Sequence, residues 1–228
     1  MAVAQKYRKS RDGERNSEKR RIKPSPEVVE QSKKFECYVA GLLYDSGIKT
    51  IRWDVYYTHH EEDDNEFDGE SRRHRESRRQ VDVQYTKSGV LGLLRKLVII
   101  ECKYSSNPNA HLGLDHFIDE KGERGEKNGQ RRRIDNLADE IDEKRMFVGA
   151  DYAILVSNAY FTPQLRAEAR RQNLELWDRD ELDRMDRQRR GLFDATAGIV
   201  RRYLFGNASL EEKVAKIDVD DYKHLRGN

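Results

Sequence analysis

The feature that most constrains the fold is an apolar run that ends in Glu101, Cys102 and Lys103. The preceding residues 97–100 are all apolar and three of them are β-branched, which predicts a buried strand. Alternate side chains of a strand share a face, so Glu101 and Lys103 point the same way at its end. Because unpaired charges are costly to bury, these two residues form either a satisfied ion pair or part of a functional site.

A second strand is predicted upstream of this run, at residues 80–86. Its alternation predicts two faces, one with Asp82 and Gln84 and the other with Val81, Val83 and Tyr85. Two glycines in residues 87–94 predict a turn into the strand 96–103, and such a hairpin would bring Asp82 beside Glu101. Two carboxylates next to a lysine suit Mg²⁺ or Mn²⁺, and the lysine can position water and stabilise charge on a phosphate.

This arrangement resembles the PD-(D/E)XK nuclease motif, in which Asp82 is followed by Glu101, Cys102 and Lys103 at the end of an apolar strand. A wider resemblance, to the Mrr-type restriction endonuclease domain, covers roughly residues 30–183. That domain begins with a helix that here carries the pairs Phe35-Glu36 and Leu42-Leu43 ahead of Gly47. After the lysine strand it has a helix, a strand, a helix and a short strand, here residues 135–147, 151–157, 162–172 and 174–177.

The resemblance implies an α/β restriction-endonuclease-like fold, with a central mixed β-sheet flanked by helices. It also implies a metal-dependent endonuclease that hydrolyses DNA, of either a restriction (defence) type or a repair type. Asp82 and Glu101 would bind Mg²⁺ or Mn²⁺ with help from the carbonyl group of Cys102. Lys103 would orient the attacking water, and Glu36 would support the metal or the lysine. Relatives often dimerise to cut both strands, so a homodimer is expected, and RNA stays open as a substrate.

A non-catalytic nucleic-acid-binding protein on the same fold is the competing hypothesis. In both cases arginine blocks would contact phosphates, and these are predicted at Arg78 and Arg79 and at Arg131, Arg132 and Arg133. The alternative for these blocks is that they only solvate exposed segments. A pure binding protein should bind in a salt-sensitive, metal-independent way and release no cleaved product.

Composition and charge divide the chain of 228 residues into three predicted parts. Residues 1–24 hold nine Lys or Arg and three Asp or Glu without apolar periodicity, which predicts a basic disordered tail. The nuclease-like domain is expected at residues 25–185 and a helical extension at 186–228. Because no run of apolar residues is long enough to span a membrane, we expect a cytoplasmic or nucleoid-associated protein.

Several polar segments are predicted to be loops. The cluster of His59, His60 and residues 61–64 is interpreted as a solvated loop, because no helical or strand spacing arranges these side chains as ligands. Residues 104–133, which include His111 and His116, are predicted to be an irregular stretch that overhangs the site.

Three further expectations concern individual side chains. The inner face of the helix 135–147 is predicted to hold Leu137, Ile141, Met146 and Phe147. Weak phosphate contacts are expected where the strand 151–157 ends, at Ser157, Asn158 and Thr162. The two cysteines, Cys37 and Cys102, are expected to be core thiols of a protein in a reducing compartment.

Overall fold

The computed structural model describes residues 25–61, 75–88, 94–107, 109–114, 116–118, 136–192 and 208–227. The strands in chain order are β1 (Arg52–Glu61), β2 (Arg75–Ser88), β3 (Arg95–Lys103), β4 (His111–Gly113), β5 (His116–Ile118), β6 (Tyr152–Ser157), β7 (Tyr160–Phe161) and β8 (Glu175–Trp177). The helices are α1 (Pro26–Asp45), α2 (Leu137–Val148), α3 (Pro163–Arg171), α4 (Arg179–Leu192), α5 (Leu210–Ala215) and a 3₁₀ helix (Val219–Leu225). The predicted arginine block 131–133 and the predicted tail 1–24 lie outside the described residues.

A five-stranded mixed sheet in the order β1-β2-β3-β6-β8 forms the centre of the fold. The neighbours β1, β2 and β3 are antiparallel, whereas β3, β6 and β8 run parallel. The predicted hairpin between the aspartate strand and the lysine strand is therefore confirmed. So is the predicted α/β class with a mixed sheet flanked by helices.

Helices cover both faces of this sheet. On one face α1 and the C-terminal elements pack on the sheet in a core cluster that includes Phe35, Leu42, Trp53, Val83 and Ile100. On the other face α2 and α3 contribute to a second cluster that includes Ile99, Leu112, Ile141, Leu155 and Leu165. Burial of alternate β3 side chains in opposite clusters explains why residues 97–100 form an uninterrupted apolar run.

Local signals in the sequence explain where the flanking helices begin and end. Ser25 caps α1 by accepting the backbone N–H of Val28 at 3.3 Å, and Pro26 follows at the first helical position. Asn136 caps α2 in the same way, and α2 ends at Gly149 with a φ of 70°, a conformation that favours glycine.

The loop predictions around the sheet are partly wrong. His59 and His60 lie within β1, opposite Ser77 and Glu76 of β2, because the two strands pair well beyond their predicted ends. The stretch 104–133 also holds regular structure, since β4 pairs with both β5 and β7 in a separate three-stranded sheet.

Two predicted faces are also wrong in part. Val83 and Tyr85 pack in the α1 cluster, but Val81 packs in the α2 cluster on the opposite side of the sheet. On α2, Leu137 and Ile141 are buried as expected, whereas Met146 is 60% exposed. The exposure of Met146 follows from the helical period, because the face of α2 that holds Ile141 continues to positions 144, 145 and 148 rather than to 146.

The C-terminal segment 208–227 packs against α1 and β1. The indole Nε1–H of Trp53 donates to the carbonyl oxygen of Tyr222 at 2.8 Å. The backbone N–H of Gly227 donates to the carbonyl oxygen of Trp53, also at 2.8 Å. Arg226 donates from Nε to Oδ2 of Asp54 at 2.9 Å, and only 3% of Asp54 is exposed. The segment thereby supplies the counter-charge of a buried carboxylate in the sheet.

None of the helices in the described part of the chain is long and apolar enough to cross a bilayer.

We expect Arg226→Met to lower the free energy of unfolding by about 1–3 kcal/mol, because Asp54 would stay buried without its guanidinium partner. Urea denaturation followed by circular dichroism measures this change. Lys223→Met is the matched control, since its ion pair with Asp220 is exposed and should contribute less than about 1 kcal/mol. Equal effects of both substitutions would show that the Arg226–Asp54 pair does not hold the segment.

Candidate active site

The site lies where β2 and β3 separate. Their backbone pairing ends at Val83 and Ile100, whereas β3 stays paired with β6 as far as Lys103 and Ser157. One residue beyond the last β2–β3 pair, Oδ2 of Asp82 accepts the backbone N–H of Cys102 at 2.7 Å. The side chain of Asp82 thus takes the place of a backbone partner and holds its carboxylate beside the start of the Glu-Cys-Lys triplet.

The neighbouring strand β1 has an irregular backbone conformation at the level of Asp82. Asp54 has a φ of 53°, and it falls between the pairs Trp53–Val83 and Val55–Val81, at the level of Asp82. Asp is one of the few residues that adopt this left-handed conformation at modest cost. Gln80 holds Asp54 by donating from Nε2 to its Oδ1 at 2.9 Å.

Glu101 is buried between two lysines. Lys103 donates from Nζ to Oε1 of Glu101 at 2.8 Å, and Lys144 donates to Oε2. The Glu101 side chain is 8% exposed and that of Lys144 is 13% exposed. The structure therefore brings together the predicted residues Asp82, Glu101 and Lys103, and it adds Lys144.

Sequence reasoning missed Lys144, although its position carried a signal. The residue follows Leu137 and Ile141 at helical spacing, on the stripe of α2 that covers the sheet. A lysine at such a position either extends its ammonium group to solvent or binds a buried anion. Only the fold shows that Glu101 lies within its reach.

The charges of the site act on one another strongly. Burial and the negative charge of Glu101 raise the pKa of Asp82 to about 7, although Lys144, Lys103 and the Cys102 N–H act against this. Burial would also raise the pKa of Glu101, but the ammonium groups of Lys103 and Lys144 outweigh it and lower that pKa. Glu101 is therefore the ionised carboxylate of the pair, and Asp82 is the one that lacks compensating charge.

Glu36 lies on α1 and is electrostatically part of this site. Burial raises its pKa to about 9, and the charges of Asp82, Asp54 and Glu101 add to the shift. The glutamate predicted on the first helix is therefore one whose ionisation responds to the charges of the two strand carboxylates. A carboxyl group with such a pKa is protonated at neutral pH until a further positive charge arrives.

The donor set fits a hard divalent cation. Carboxylate and carbonyl oxygens are the ligands that Mg²⁺ and Mn²⁺ prefer. Burial and the neighbouring carboxylates raise the pKa values of Asp82 and Glu36, and a bound cation would favour the ionised form of both. Within the described ranges, no three His, Cys, Asp or Glu side chains are grouped as a metal site by themselves. A metal ion here would thus need backbone or water ligands beside the carboxylates.

The two cysteines have no feature of reactive thiols. Burial raises the pKa of Cys37 to about 12 and that of Cys102 well above its ordinary value. Both side chains contact the α1 cluster. Thiols with raised pKa values are poor nucleophiles, which leaves packing as the role of these side chains.

The other predicted contact residues have different fates. Arg78 and Arg79 are exposed on β2, where the guanidinium of Arg78 lies over the ring of Tyr56 at 4.0 Å from its centroid. Ser157 and Asn158 are fully buried, so the expected phosphate contacts there are wrong. Their side chains instead bind the backbone of the loop after β3 and of Lys103. Thr162 is occupied as the N-cap of α3.

Residues 30–185 match the restriction endonuclease family. No curated protein matches the chain. Among solved structures, the chain is similar to the protein VC1899 from Vibrio cholerae, with 20% identity and a TM-score of 0.39 over 68% of this chain and 30% of that one. It is also similar to the protein of unknown function AF1548, with 13% identity and a TM-score of 0.43 over 85% of this chain and 94% of that one. The chain spans less than a third of the Vibrio cholerae protein.

The charge pattern predicts how stability depends on pH in the metal-free protein. Folded Asp82 and Glu36 keep their protons up to about pH 7 and pH 9, whereas the unfolded chain loses them near pH 4. The folded state therefore binds more protons in this range, and the free energy of unfolding should fall as the pH rises from about 5 to 9.

Asp82→Asn should reduce this slope and make the protein more stable than wild type at pH 8, by about 1–3 kcal/mol. Urea denaturation in EDTA at about pH 5.5 and about pH 8, below and above the pKa of Asp82, measures both effects. Asp220→Asn is the control, because Asp220 is exposed and pairs only at the surface. The assignment is wrong if both variants follow the wild-type slope.

Proposed function

Because this chain belongs to the restriction endonuclease family of the Mrr type, we propose that it is a metal-dependent endonuclease that hydrolyses DNA phosphodiester bonds. The observation that carries the proposal is the convergence of Asp82, Glu101 and Lys103 at the gap between β2 and β3. A purely structural ion pair would require only Glu101 and a lysine. It would not explain a second buried carboxylate that is held beside them without a counter-charge of its own.

Asp82 and Glu101 would hold Mg²⁺ or Mn²⁺ through their carboxylate oxygens, with the backbone carbonyl of Cys102 as a further ligand. In a strand the N–H and the C=O of one residue point to the same neighbour, so the Cys102 carbonyl is expected to face Asp82 as its N–H does. A bound divalent cation supplies positive charge for the phosphate and lowers the pKa of a coordinated water.

Lys103 is suited to donate hydrogen bonds rather than to remove a proton. Burial acts to lower its pKa, but the carboxylate of Glu101 outweighs this and raises it. The residue is therefore an ammonium group at neutral pH, which can orient the attacking water and stabilise negative charge that develops on the phosphate. Glu36 would support the metal side of the site, where a cation favours its ionised form.

The exposed arginines of β2 supply a path for the DNA backbone to the site. Beyond Val83, the described part of β2 pairs only with β1, so residues 75–82 and β1 form a two-stranded ribbon that leads to Asp82. Arg78 and Arg79 are exposed on this ribbon, and guanidinium groups suit phosphate contacts.

Cleavage assays with Mg²⁺, Mn²⁺ or EDTA test the proposal on plasmid DNA, single-stranded DNA and RNA. We expect metal-dependent DNA products, and a loss of about a hundredfold or more in Asp82→Ala and Glu101→Ala, because each removes an electrostatic contact to the transition state. Lys103→Glu should abolish cleavage while retaining part of the DNA binding. Glu181→Ala is the matched control, a carboxylate on α4 that pairs with Arg184.

The form of the plasmid product also tests the predicted homodimer. Direct conversion to linear DNA indicates two copies that cut both strands together, whereas accumulation of nicked circles contradicts a dimer that acts in this way. Intact substrates with salt-sensitive binding that survives EDTA would replace the nuclease by the competing hypothesis of a nucleic-acid-binding protein.

Substitution of both ribbon arginines, Arg78→Ala with Arg79→Ala, should weaken DNA binding and reduce the slope of log K against log salt by about 2, since each phosphate contact contributes about 1. Fluorescence anisotropy with a duplex at several salt concentrations and without metal measures the slope. Arg171→Ala with Arg184→Ala is the control pair, exposed arginines that pair with glutamates on α3 and α4. An unchanged slope in the ribbon variant would remove these arginines from the binding surface.

A further inference from the structure

The two carboxylates at the centre of the site are compensated unequally. Glu101 binds an ammonium group on each of its oxygens, from Lys103 and from Lys144. In the described part of the chain, the hydrogen bond recorded for the Asp82 carboxylate comes from the neutral backbone N–H of Cys102. A cation that bridged these two carboxylates would therefore approach a Glu101 that already has two positive partners.

The two lysines reach Glu101 from different elements of the fold. Lys103 follows Glu101 by two residues on the same strand, and that strand is fixed there by the pairing of Lys103 with Ser157 and by a hydrogen bond from Ser157 Oγ to the Lys103 carbonyl at 2.8 Å. Lys144 comes from α2, a separate element, and reaches Glu101 through a long aliphatic stem. The Lys144 ammonium group can therefore leave Glu101 through a change of its own side-chain rotamer, without a change in the sheet.

We propose that Lys144 is the counter-cation of Glu101 in the metal-free protein and that it gives up Oε2 of Glu101 when a divalent cation binds. The proposal rests on the nuclease function proposed above and adds to it a residue that tunes metal affinity. Lys144 has the geometry for this role because its ammonium group binds Oε2 of a Glu101 side chain that is 8% exposed, and because it comes from a helix outside the sheet.

Electrostatics determines the direction of the effect. An ammonium and a divalent cation on the same carboxylate repel each other, and at an effective dielectric constant of about 20 this repulsion exceeds the thermal energy several times at contact distances. Metal binding must therefore break the Lys144–Glu101 ion pair, and the free energy of that pair is subtracted from the affinity. Removal of the Lys144 charge should make metal binding tighter, although the residue lies in the site.

Titration of the full-length protein with Mn²⁺ alone, without DNA, tests this inference. Electron paramagnetic resonance of free Mn²⁺ gives the dissociation constant for wild type, Lys144→Met and Lys144→Arg. We expect Lys144→Met to bind Mn²⁺ about tenfold more tightly or better, and Lys144→Arg, which keeps the charge, to stay near the wild-type value. Arg145→Met is the matched control on the same helix, because Arg145 pairs with Asp142 rather than with Glu101, and it should change affinity less than about threefold.

Thermal unfolding with and without Mn²⁺ gives a second readout. Lys144→Met should be less stable than wild type in EDTA and should gain more from added Mn²⁺, since tighter binding to the folded state stabilises it further. If Lys144→Met does not fold, Lys144→Gln serves for the same comparison.

Equal or weaker Mn²⁺ binding by the neutral variants, with Mn²⁺ binding and cleavage intact in wild type, would overturn this inference alone. Absence of Mn²⁺ binding and of cleavage in wild type would overturn the nuclease proposal and this inference with it.

Discussion

The hydrogen bond between the Asp82 carboxylate and the backbone N–H of Cys102 is the contact on which the rest of the site depends. It forms where the β2–β3 ladder stops, so it satisfies a strand N–H that would otherwise lack a partner. The same bond fixes a carboxylate beside Glu101 in a place where water does not reach it well. The separation of the strands and the proximity of the two acids are therefore one structural feature.

The site and its surroundings hold several carboxylates close together, and basic side chains from separate elements of the fold bind to them. Carboxylates come from α1, β1, β2 and β3, at Glu36, Asp54, Asp82 and Glu101, and each is drawn from a different element. The positive partners come from β3, α2 and the C-terminal segment, at Lys103, Lys144 and Arg226. Burial, and then the neighbouring carboxylates, raise the pKa values of Asp82 and Glu36 despite these partners. Local charge of this kind lowers stability, and it is a recurring property of sites that bind cations or catalyse reactions.

The sequence predicts those parts of the site that local patterns determine. The apolar run before Glu101 and the alternation around Asp82 are short-range signals, and they were sufficient to predict the hairpin of β2 and β3. Lys144 and Asp54 could not be found in this way, because their roles arise from contacts between elements that are far apart in sequence. The short strands β4 and β5 were missed for the same reason, since the pairing of β4 with β7 depends on the position of residues 160–161. The observed strands β1 and β2 extend into polar residues that were predicted to be loop, such as His59, because their pairing continues there.

The C-terminal segment connects the periphery of the fold to the site through Asp54. Arg226 binds the carboxylate of Asp54. The left-handed backbone conformation of Asp54 interrupts the β1–β2 pairing at the level of Asp82. Residues 208–227 lie beyond the range that matches the family, yet Leu210, Val214 and Leu225 are buried in the same core cluster as Phe35 and Trp53. The family domain in this chain is therefore completed by its own C-terminal residues. Because the segment binds the backbone carbonyl of Trp53 and the carboxylate of Asp54, both in β1, residues 226 and 227 anchor the ribbon that leads to Asp82.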